Sequence, residues 1–391
     1  MKITAVKTFI CNAFRTNFVF VKIETDQPGL HGWGEATLEY REPTVAAAIH
    51  DLESYLIGKD PRNIEAFRHD CYRDAYWRGG PVLMSALAGV ETALWDIKGK
   101  DLNVPVYQLL GGKVRDAVPA YVNGWFSPAK TPEDFAKKAV AVRDSGFTAC
   151  KWDPFGKAWL QIGKKELETA IECVRQVAAA AGGDIDLLIE GHGRFDIPTA
   201  VRIAHRLEEF DIFWFEEPIP PDDKEGLREV KRQSRVPIAA GERLYNRYEY
   251  RQFFDLCCAD YIQPDVSHAG GILELRFLGA IAESRHIGFC PHNPSGPVAN
   301  AATLQLAACV PNFVKLEMMM TDVPYRAELC DEKLTVDHGQ MRIPDRPGLG
   351  IELNEAELAK HPYIRTELRH YRGDLTNIRP VDAVRYYELI R

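Results

Sequence analysis

The chain has 391 residues, of which 46% are hydrophobic and 27% charged, and its formal net charge is −8. This length exceeds one ordinary domain and would accommodate an α/β barrel of roughly 250 residues with a smaller domain attached. The composition is typical of a globular protein, and the negative charge argues against a nucleic-acid-binding surface.

The sequence shows no targeting or membrane signal. Its first residues alternate like strands, and Lys or Arg interrupts every apolar run, so no signal peptide, anchor or membrane span is predicted. The nine cysteines lack CxxC or zinc-finger spacing, which is typical of free thiols in a reducing compartment. We therefore expect a cytoplasmic protein that binds neither membrane nor nucleic acid.

Residues 1–119 are predicted to form a small α+β domain. The run "VFVKIET" alternates like a strand, and turn residues separate it from a second strand through Gly32 to Ala36. From Ser85 to Gly99, apolar residues recur at helical spacing. This domain therefore combines antiparallel strands with helices.

Residues 120–345 alternate short β-rich runs with amphipathic helices, which is typical of a parallel sheet with crossover helices. The strand candidates are "AVPAYV", "FTACKWD", "IDLLIEGH", "FDIFWFEEP", "VPIAAGE", "YIQPDVS", "IGFCPHN" and "FVKLEMM". Eight such strands predict a (β/α)8 barrel, the TIM-like α/β fold. Residues 346–391 are irregular and polar, and we expect them to return to the first domain and to include a solvated tail or a contact of a homo-oligomer.

Charged residues and histidines follow these strands at the interval of one βα unit. The successive steps are 26, 26, 23, 27 and 25 residues along the series Glu190, Glu216, Glu242, Asp265, His292 and Glu317. Because catalytic groups of a barrel collect at the carboxyl ends of its strands, this period predicts one shared site.

The first three members of the series are carboxylates that would repel one another unless protonated or neutralised by a cation. All-oxygen ligands favour Mg²⁺ over Zn²⁺, with Mn²⁺ as the alternative. A salt bridge is the alternative for any single one of them. Asp265, one strand before His292, is placed to hydrogen-bond the imidazole, which would make His292 a general base.

Several motifs occur together along the chain: "GWGE", "ETALWDIKGK", "PVYQLLGG", "CKWDPFG", "IEGHGRF", "WFEEP", "AAGERLY", "QPDVSHAGGI", "CPHNPSGPV" and "PNFVKLE". In them the chain resembles the mandelate racemase subgroup of the enolase superfamily, and within it the acid-sugar dehydratases that act on galactonate or gluconate. The resemblance implies a barrel with a capping domain formed by the N-terminal region and the C-terminal segment.

The resemblance also implies roles for the residues of the site. The three glutamates would hold Mg²⁺, which chelates the substrate carboxylate, and the Asp265–His292 pair would remove the proton alpha to it. Protonated Glu317 would donate a hydrogen bond to the enediolate. Lys151 would add positive charge on the opposite face, or act as a base for the opposite stereochemistry.

His192 discriminates between reactions within this family. In the dehydratases that the chain resembles, a histidine two residues after the first metal ligand protonates the departing β-hydroxyl. The sequence Lys-Trp-Asp replaces the second base of the racemases by Asp153. We therefore expect dehydration of an aldonate to its 2-keto-3-deoxy acid; the alternatives are an epimerase or cycloisomerase and, of another class, a noncatalytic carbohydrate-binding protein.

Five side chains are candidates for contacts with the small-molecule acid sugar, although each could instead pack or form a salt bridge. They are Asp153, Arg194, His268, Tyr40 and Trp77.

Overall fold

The computed structural model describes residues 1–367 and 374–390. The N-terminal region forms an antiparallel sheet in the order β1-β2-β3, with strands β1 (Ile3–Ala13), β2 (Thr16–Thr25) and β3 (His31–Glu35). Gly34 allows the long helix behind the sheet to approach closely, because a Cβ there would lie 1.8 Å from the carbonyl oxygen of Gly89. A Cβ on Gly32 would likewise lie 2.1 Å from the carbonyl oxygen of Ala93, so the same close approach explains both glycines of "GWGE".

Five helices complete the capping domain, and a π-helical turn, His69–Arg73, follows the third. They are α1 (Glu42–Asp51), α2 (Glu53–Leu56), α3 (Ile64–Arg68), α4 (Gly80–Asp101) and α5 (Val106–Leu109). Most of α4 is buried, because it lies between the sheet and the second domain.

Eight parallel strands form the barrel, as predicted. They are β4 (Ala117–Asn123), β5 (Ala149–Trp152), β6 (Asp186–Glu190), β7 (Trp214–Glu216), β8 (Ile238–Ala240), β9 (Tyr261–Ile262), β10 (Gly288–Phe289) and β11 (Leu316–Met319). Neighbours pair in chain order, β11 pairs with β4, and a parallel bridge between Phe289 and Phe313 closes the ring. Strands four positions apart, such as β6 and β10, therefore lie on opposite sides of the barrel.

Helices α6 to α12 connect the strands of the barrel. They are α6 (Pro132–Asp144), α7 (Lys164–Ala181), α8 (Ile197–Leu207), α9 (Lys224–Gln233), α10 (Arg247–Asp255), α11 (Ile272–Glu283) and α12 (Pro297–Ala307). Side chains cap several N-termini; Asp196, for example, accepts from the Thr199 amide at 2.8 Å. No helix in residues 1–367 or 374–390 is long and apolar enough to cross a membrane.

The remaining elements are α13 (Arg326–Leu329), β12 (Leu334–Asp337), β13 (Gln340–Arg342), α14 (Glu355–Leu358), a 3-10 turn (Asp374–Asn377) and β14 (Tyr387–Ile390). Residues 349–364 contact the capping domain, where Ile364 bonds Asn17 through both backbone groups. Further on, β14 pairs with β12, and β12 pairs with β13. Because β13 also pairs with β4, these three strands are joined to the barrel. Because this segment contacts both domains, the division into 1–119, 120–345 and 346–391 stays a prediction.

Candidate active site

The residues at the strand ends meet at one cavity of about 350 Å³ at the carboxyl end of the barrel. Its wall includes Lys151, Glu190, Glu242 and both histidines of the predicted site, His192 and His292. Beside this wall, the site also contains three side chains that are at most 1% exposed: Glu216, Asp265 and Glu317. The structure therefore brings together every residue predicted as a metal ligand, acid or base.

Three carboxylates from consecutive strands form a group that could hold a metal ion. Glu190 ends β6, Glu216 ends β7 and Glu242 follows β8, and one oxygen of each lies within 4.8 Å of the others. Burial and the charge of Glu190 raise the pKa of Glu216 to about 8, although Lys151 opposes this shift. One oxygen of Glu190, Oε2, is buried and accepts no hydrogen bond within the described residues. Three carboxylates that offer oxygen atoms so close together fit a hard divalent cation.

Lys151, on β5, lies among these carboxylates. Its Nζ is 2.6 Å from Glu216 Oε1, 3.0 Å from Glu317 Oε1 and 3.4 Å from Glu190 Oε2. Burial alone would lower the pKa of Lys151, but Glu216 and Glu317 hold it well above its ordinary value. This side chain is therefore a fixed cation, and the geometry does not favour the predicted alternative of a base.

Glu317, on β11, has hydrogen-bond donors at both of its carboxylate oxygens. Its carboxylate accepts from Lys151, from Asn123 Nδ2 at 2.9 Å and from the Asn293 amide at 3.0 Å. Although burial opposes ionisation, Lys151 and His292 lower the pKa of Glu317 to about 2. In this arrangement both oxygens of Glu317 accept hydrogen bonds, and the role of Glu317 as a protonated donor stays a prediction.

His292 and Asp265 form a histidine–carboxylate pair. His292 Nδ1 donates to Asp265 Oδ2 at 2.7 Å, so its Nε2 remains for proton transfer and lies 3.5 Å from Glu242 Oε2. The Ser267 amide donates to the same aspartate at 2.6 Å. His268 also lies near Asp265, but its Nε2 donates to the Thr37 carbonyl at 2.8 Å. His292 and Asp265 therefore form a hydrogen-bonded pair, and His268 lies beside this pair but is bonded to the capping domain.

His192 and Asp153 form a second pair of the same kind. His192 Nδ1 donates to Asp153 Oδ2 at 2.8 Å, and the His192 amide donates to Glu190 Oε1 at 2.7 Å. The backbone of His192 is left-handed, with φ 50°, a conformation that costs about 1–2 kcal/mol outside glycine. Burial lowers the pKa of His192, but Glu190 and Asp153 outweigh it and raise the pKa to about 9. The turn thus holds the imidazole of His192 beside the first carboxylate and against Asp153.

The predicted substrate contacts divide into two groups. Asp153, His268 and Tyr40 line the cavity, whereas Arg194 and Trp77 do not. Arg194 is fully buried and bonds both oxygens of Asp153. Trp77 is 81% exposed and packs against Tyr76 outside the cavity. The prediction of substrate contacts for Arg194 and Trp77 is therefore corrected, because one is used internally and the other points to solvent.

The cavity also contains polar residues that the sequence pattern did not identify. Asn123 ends β4 and could have been found by the rule applied to the other strands. Arg243 follows the third carboxylate and pairs with Glu217. Arg15, in the β1–β2 turn, and Arg379 come from segments outside the barrel's repeating pattern, so spacing carried no signal for them.

Comparisons with known proteins agree with this architecture. Residues 2–111 match the family model of the mandelate racemase / muconate lactonizing enzyme N-terminal domain, and residues 134–357 match the enolase C-terminal domain-like family. A D-galactonate dehydratase of Cronobacter sakazakii is 37% identical over 365 residues, covering 92% of this chain and 94% of that protein.

Two crystal structures have the same fold. A mandelate racemase/muconate lactonizing enzyme from a Sulfitobacter species superposes with a TM-score of 0.89 at 30% identity, covering 94% of this chain and 98% of that one. A member of the enolase superfamily from Salmonella typhimurium gives a TM-score of 0.87 at 31% identity, covering 92% and 98%. The chain therefore belongs to the mandelate racemase/muconate lactonizing enzyme family of the enolase superfamily.

Proposed function

We propose that this protein is a Mg²⁺-dependent lyase that dehydrates an acid sugar to its 2-keto-3-deoxy acid. The observation that carries the proposal is the placement of two histidine–aspartate pairs around one group of carboxylates. His192 follows β6 and His292 follows β10, and these strands lie on opposite sides of the ring. Both histidines line the same cavity.

In the proposed reaction, His292 acts as the base. Its Nδ1 is bonded to Asp265, which fixes the tautomer and stabilises the imidazolium that forms when Nε2 takes the proton from C2 of the substrate. The electron pair of the broken C–H bond moves into the carboxylate to form an enediolate. A divalent cation held by Glu190, Glu216 and Glu242 would supply the Lewis acidity that offsets this charge.

His192 then acts as the acid. It gives its proton to the β-hydroxyl, the C–O bond breaks, and water leaves as the electron pair of the enediolate forms the C2–C3 double bond. The resulting enol tautomerises to the 2-keto-3-deoxy acid. Because base and acid approach from opposite sides of the cavity, the geometry favours anti loss of water.

The substrate class follows from the cavity and from the relatives. A site with a cation-binding group, a fixed ammonium at Lys151 and further polar side chains suits a polyhydroxy carboxylate. The Cronobacter sakazakii relative is a D-galactonate dehydratase, so galactonate is the first aldonate to test, with gluconate next.

The test is a screen of acid sugars with Mg²⁺ for 2-keto-3-deoxy products, combined with C2 deuterium exchange in D₂O. His292→Asn should lose both activities. His192→Asn should lose dehydration but keep C2 exchange. His338→Asn is the matched control, because His338 bonds Asp337 at 2.7 Å on the surface, where its side chain is 84% exposed; it should behave as the parent.

Other outcomes would contradict the proposal in distinct ways. If His192→Asn dehydrates the substrate at the parent rate, His192 is not the acid. An epimerised product in place of a keto acid would support the epimerase alternative. Absence of C2 exchange with every acid sugar would favour a binding protein.

A further inference from the structure

Arg379 is a cavity residue that comes from neither the barrel strands nor the N-terminal region but from the C-terminal segment. It follows the 3-10 turn Asp374–Asn377 and, with Ile378, forms part of the cavity wall. Its side chain is only 13% exposed. An arginine buried at the wall of a substrate cavity requires partners for its N–H groups, because burial without them is costly.

The protein satisfies Arg379 only in part. Its Nη1 lies 3.2 Å from Asp322 Oδ1, while the other oxygen of Asp322 pairs with Arg326. Its Nε is buried and makes no hydrogen bond within residues 1–367 and 374–390. Burial lowers the pKa of Arg379 even beside Asp322. By contrast, Glu217 and Glu242 outweigh the effect of burial on Arg243, another arginine of the wall, and raise its pKa.

The position of Arg379 on the rim indicates what it could bind. A Cβ on Gly124, just after β4, would lie 3.3 Å from Arg379 Nε and 2.8 Å from the end of Met319, the last residue of β11. In the ring, β4 and β11 lie opposite β8 and β7, which carry Glu242 and Glu216. Arg379 therefore lies across the mouth of the barrel from β7 and β8, at whose ends two of the three metal carboxylates, Glu216 and Glu242, are placed.

We propose that Arg379 binds the end of the acid-sugar chain remote from the metal carboxylates and so selects long substrates. This rests on the proposed dehydration of acid sugars. A substrate whose first carboxylate lies at the glutamates would extend across the cavity and present its terminal oxygens to the guanidinium. The shared chemistry is an oxygen acceptor on the last carbon, either the hydroxyl of an aldonate or the second carboxylate of an aldarate.

The experiment measures affinity by calorimetry with Mg²⁺ present, using acid sugars of four and six carbons and a six-carbon aldarate. Arg379→Gln should weaken binding of the six-carbon acids about tenfold or more and leave the four-carbon acid within about twofold. Arg379→Lys should retain part of the affinity. A larger loss for the aldarate than for the aldonate would identify a second carboxylate as the group bound.

Matched variants separate binding from folding. Arg385→Gln changes an exposed arginine of the same segment and should alter nothing. Asp322→Asn removes the internal partner but keeps the guanidinium, so preference for six-carbon acids should persist. Thermal midpoints of all variants monitor stability, and a general loss of structure would weaken short and long acids alike.

The outcomes distinguish this inference from the proposed function. If Arg379→Gln loses the same affinity for four- and six-carbon acids, or loses none, the role proposed for Arg379 is wrong, and the proposed dehydration is unaffected. If binding depends on chain length but no acid sugar is dehydrated, the role proposed for Arg379 is supported and the proposed reaction is contradicted. No binding of any acid sugar would overturn both.

Discussion

The two histidine–aspartate pairs of the cavity differ in what else each aspartate contacts. Asp265 accepts from His292 and the Ser267 amide. Asp153 accepts from His192 and is also bonded through both oxygens to the buried guanidinium of Arg194. Asp265 therefore faces two histidines, with His268 Nδ1 3.9 Å from its Oδ2, whereas the charge of Asp153 is shared with a permanent cation.

In the proposed reaction, this difference would let one motif serve two tasks. A base requires a carboxylate that stabilises the imidazolium after proton abstraction, and Asp265 is placed to do this. An acid must hold its proton without binding it too tightly, and sharing the charge of Asp153 with Arg194 would limit its hold on His192. The surroundings of each aspartate, and not the histidine itself, would then separate the proposed roles.

The largest expected effect tests the Asp265–His292 pair, which we propose acts as the base. Asp265→Asn preserves the size of the side chain but removes the charge and the tautomer preference of His292. We expect kcat for dehydration to fall about 10³–10⁴-fold, and C2 exchange to fall with it. The measurement is product formation beside deuterium incorporation. A fall in dehydration with undiminished exchange would contradict the assignment, because it would make Asp265 part of the acid step.

The second prediction concerns stability and separates the pairs further. Arg194→Gln should lower the free energy of unfolding by about 3–5 kcal/mol, because it removes the buried guanidinium that bonds both oxygens of Asp153. Arg143→Gln is the control; its pair with Asp144 is exposed, and about 1 kcal/mol or less is expected. Denaturant titration measures both. A cost for Arg194→Gln no larger than the control would mean that the guanidinium does not compensate Asp153.

The smallest effect is a change in the pH profile. His192 must be protonated to act as the acid, so activity should fall as pH rises through its pKa. Burial lowers this pKa, and the charges of Glu190 and Asp153 raise it. Replacing the ion pair by Asp153→Asn with Arg194→Gln removes one of the raising charges. The alkaline limb of kcat/KM should then move to lower pH. An alkaline limb that stays in place would contradict the assignment of His192 as the acid.

The sequence predicted the strands and the residues at their ends because both follow one period. Glu190, Glu216 and Glu242 could be placed on one site since parallel strands deliver their carboxyl ends to the same side of a barrel. Asn123 obeys the same rule and was missed because the first strand was ended one residue early, at Val122.

Other features depend on side-chain direction, which spacing does not determine. Arg194 lies two residues beyond His192, but the left-handed backbone at His192 turns the chain so that Arg194 points inward to Asp153. The protonation of Glu317 depends on three donors from separate parts of the chain, and Arg379 enters the cavity 62 residues after it. Such contacts follow from tertiary packing and have no local signature.

The contact between Asn17 and Ile364 joins residues separated by 347 positions. During synthesis, the strands of the capping domain are made first, but the residues that complete their packing are made only after the whole barrel. Closing so long a loop is slow, and apolar strands that wait for their partners are prone to aggregation. We therefore expect the capping domain, with the C-terminal residues that pack on it, to be the last part to reach its native state. It should also be the part that depends most on chaperones in the cell.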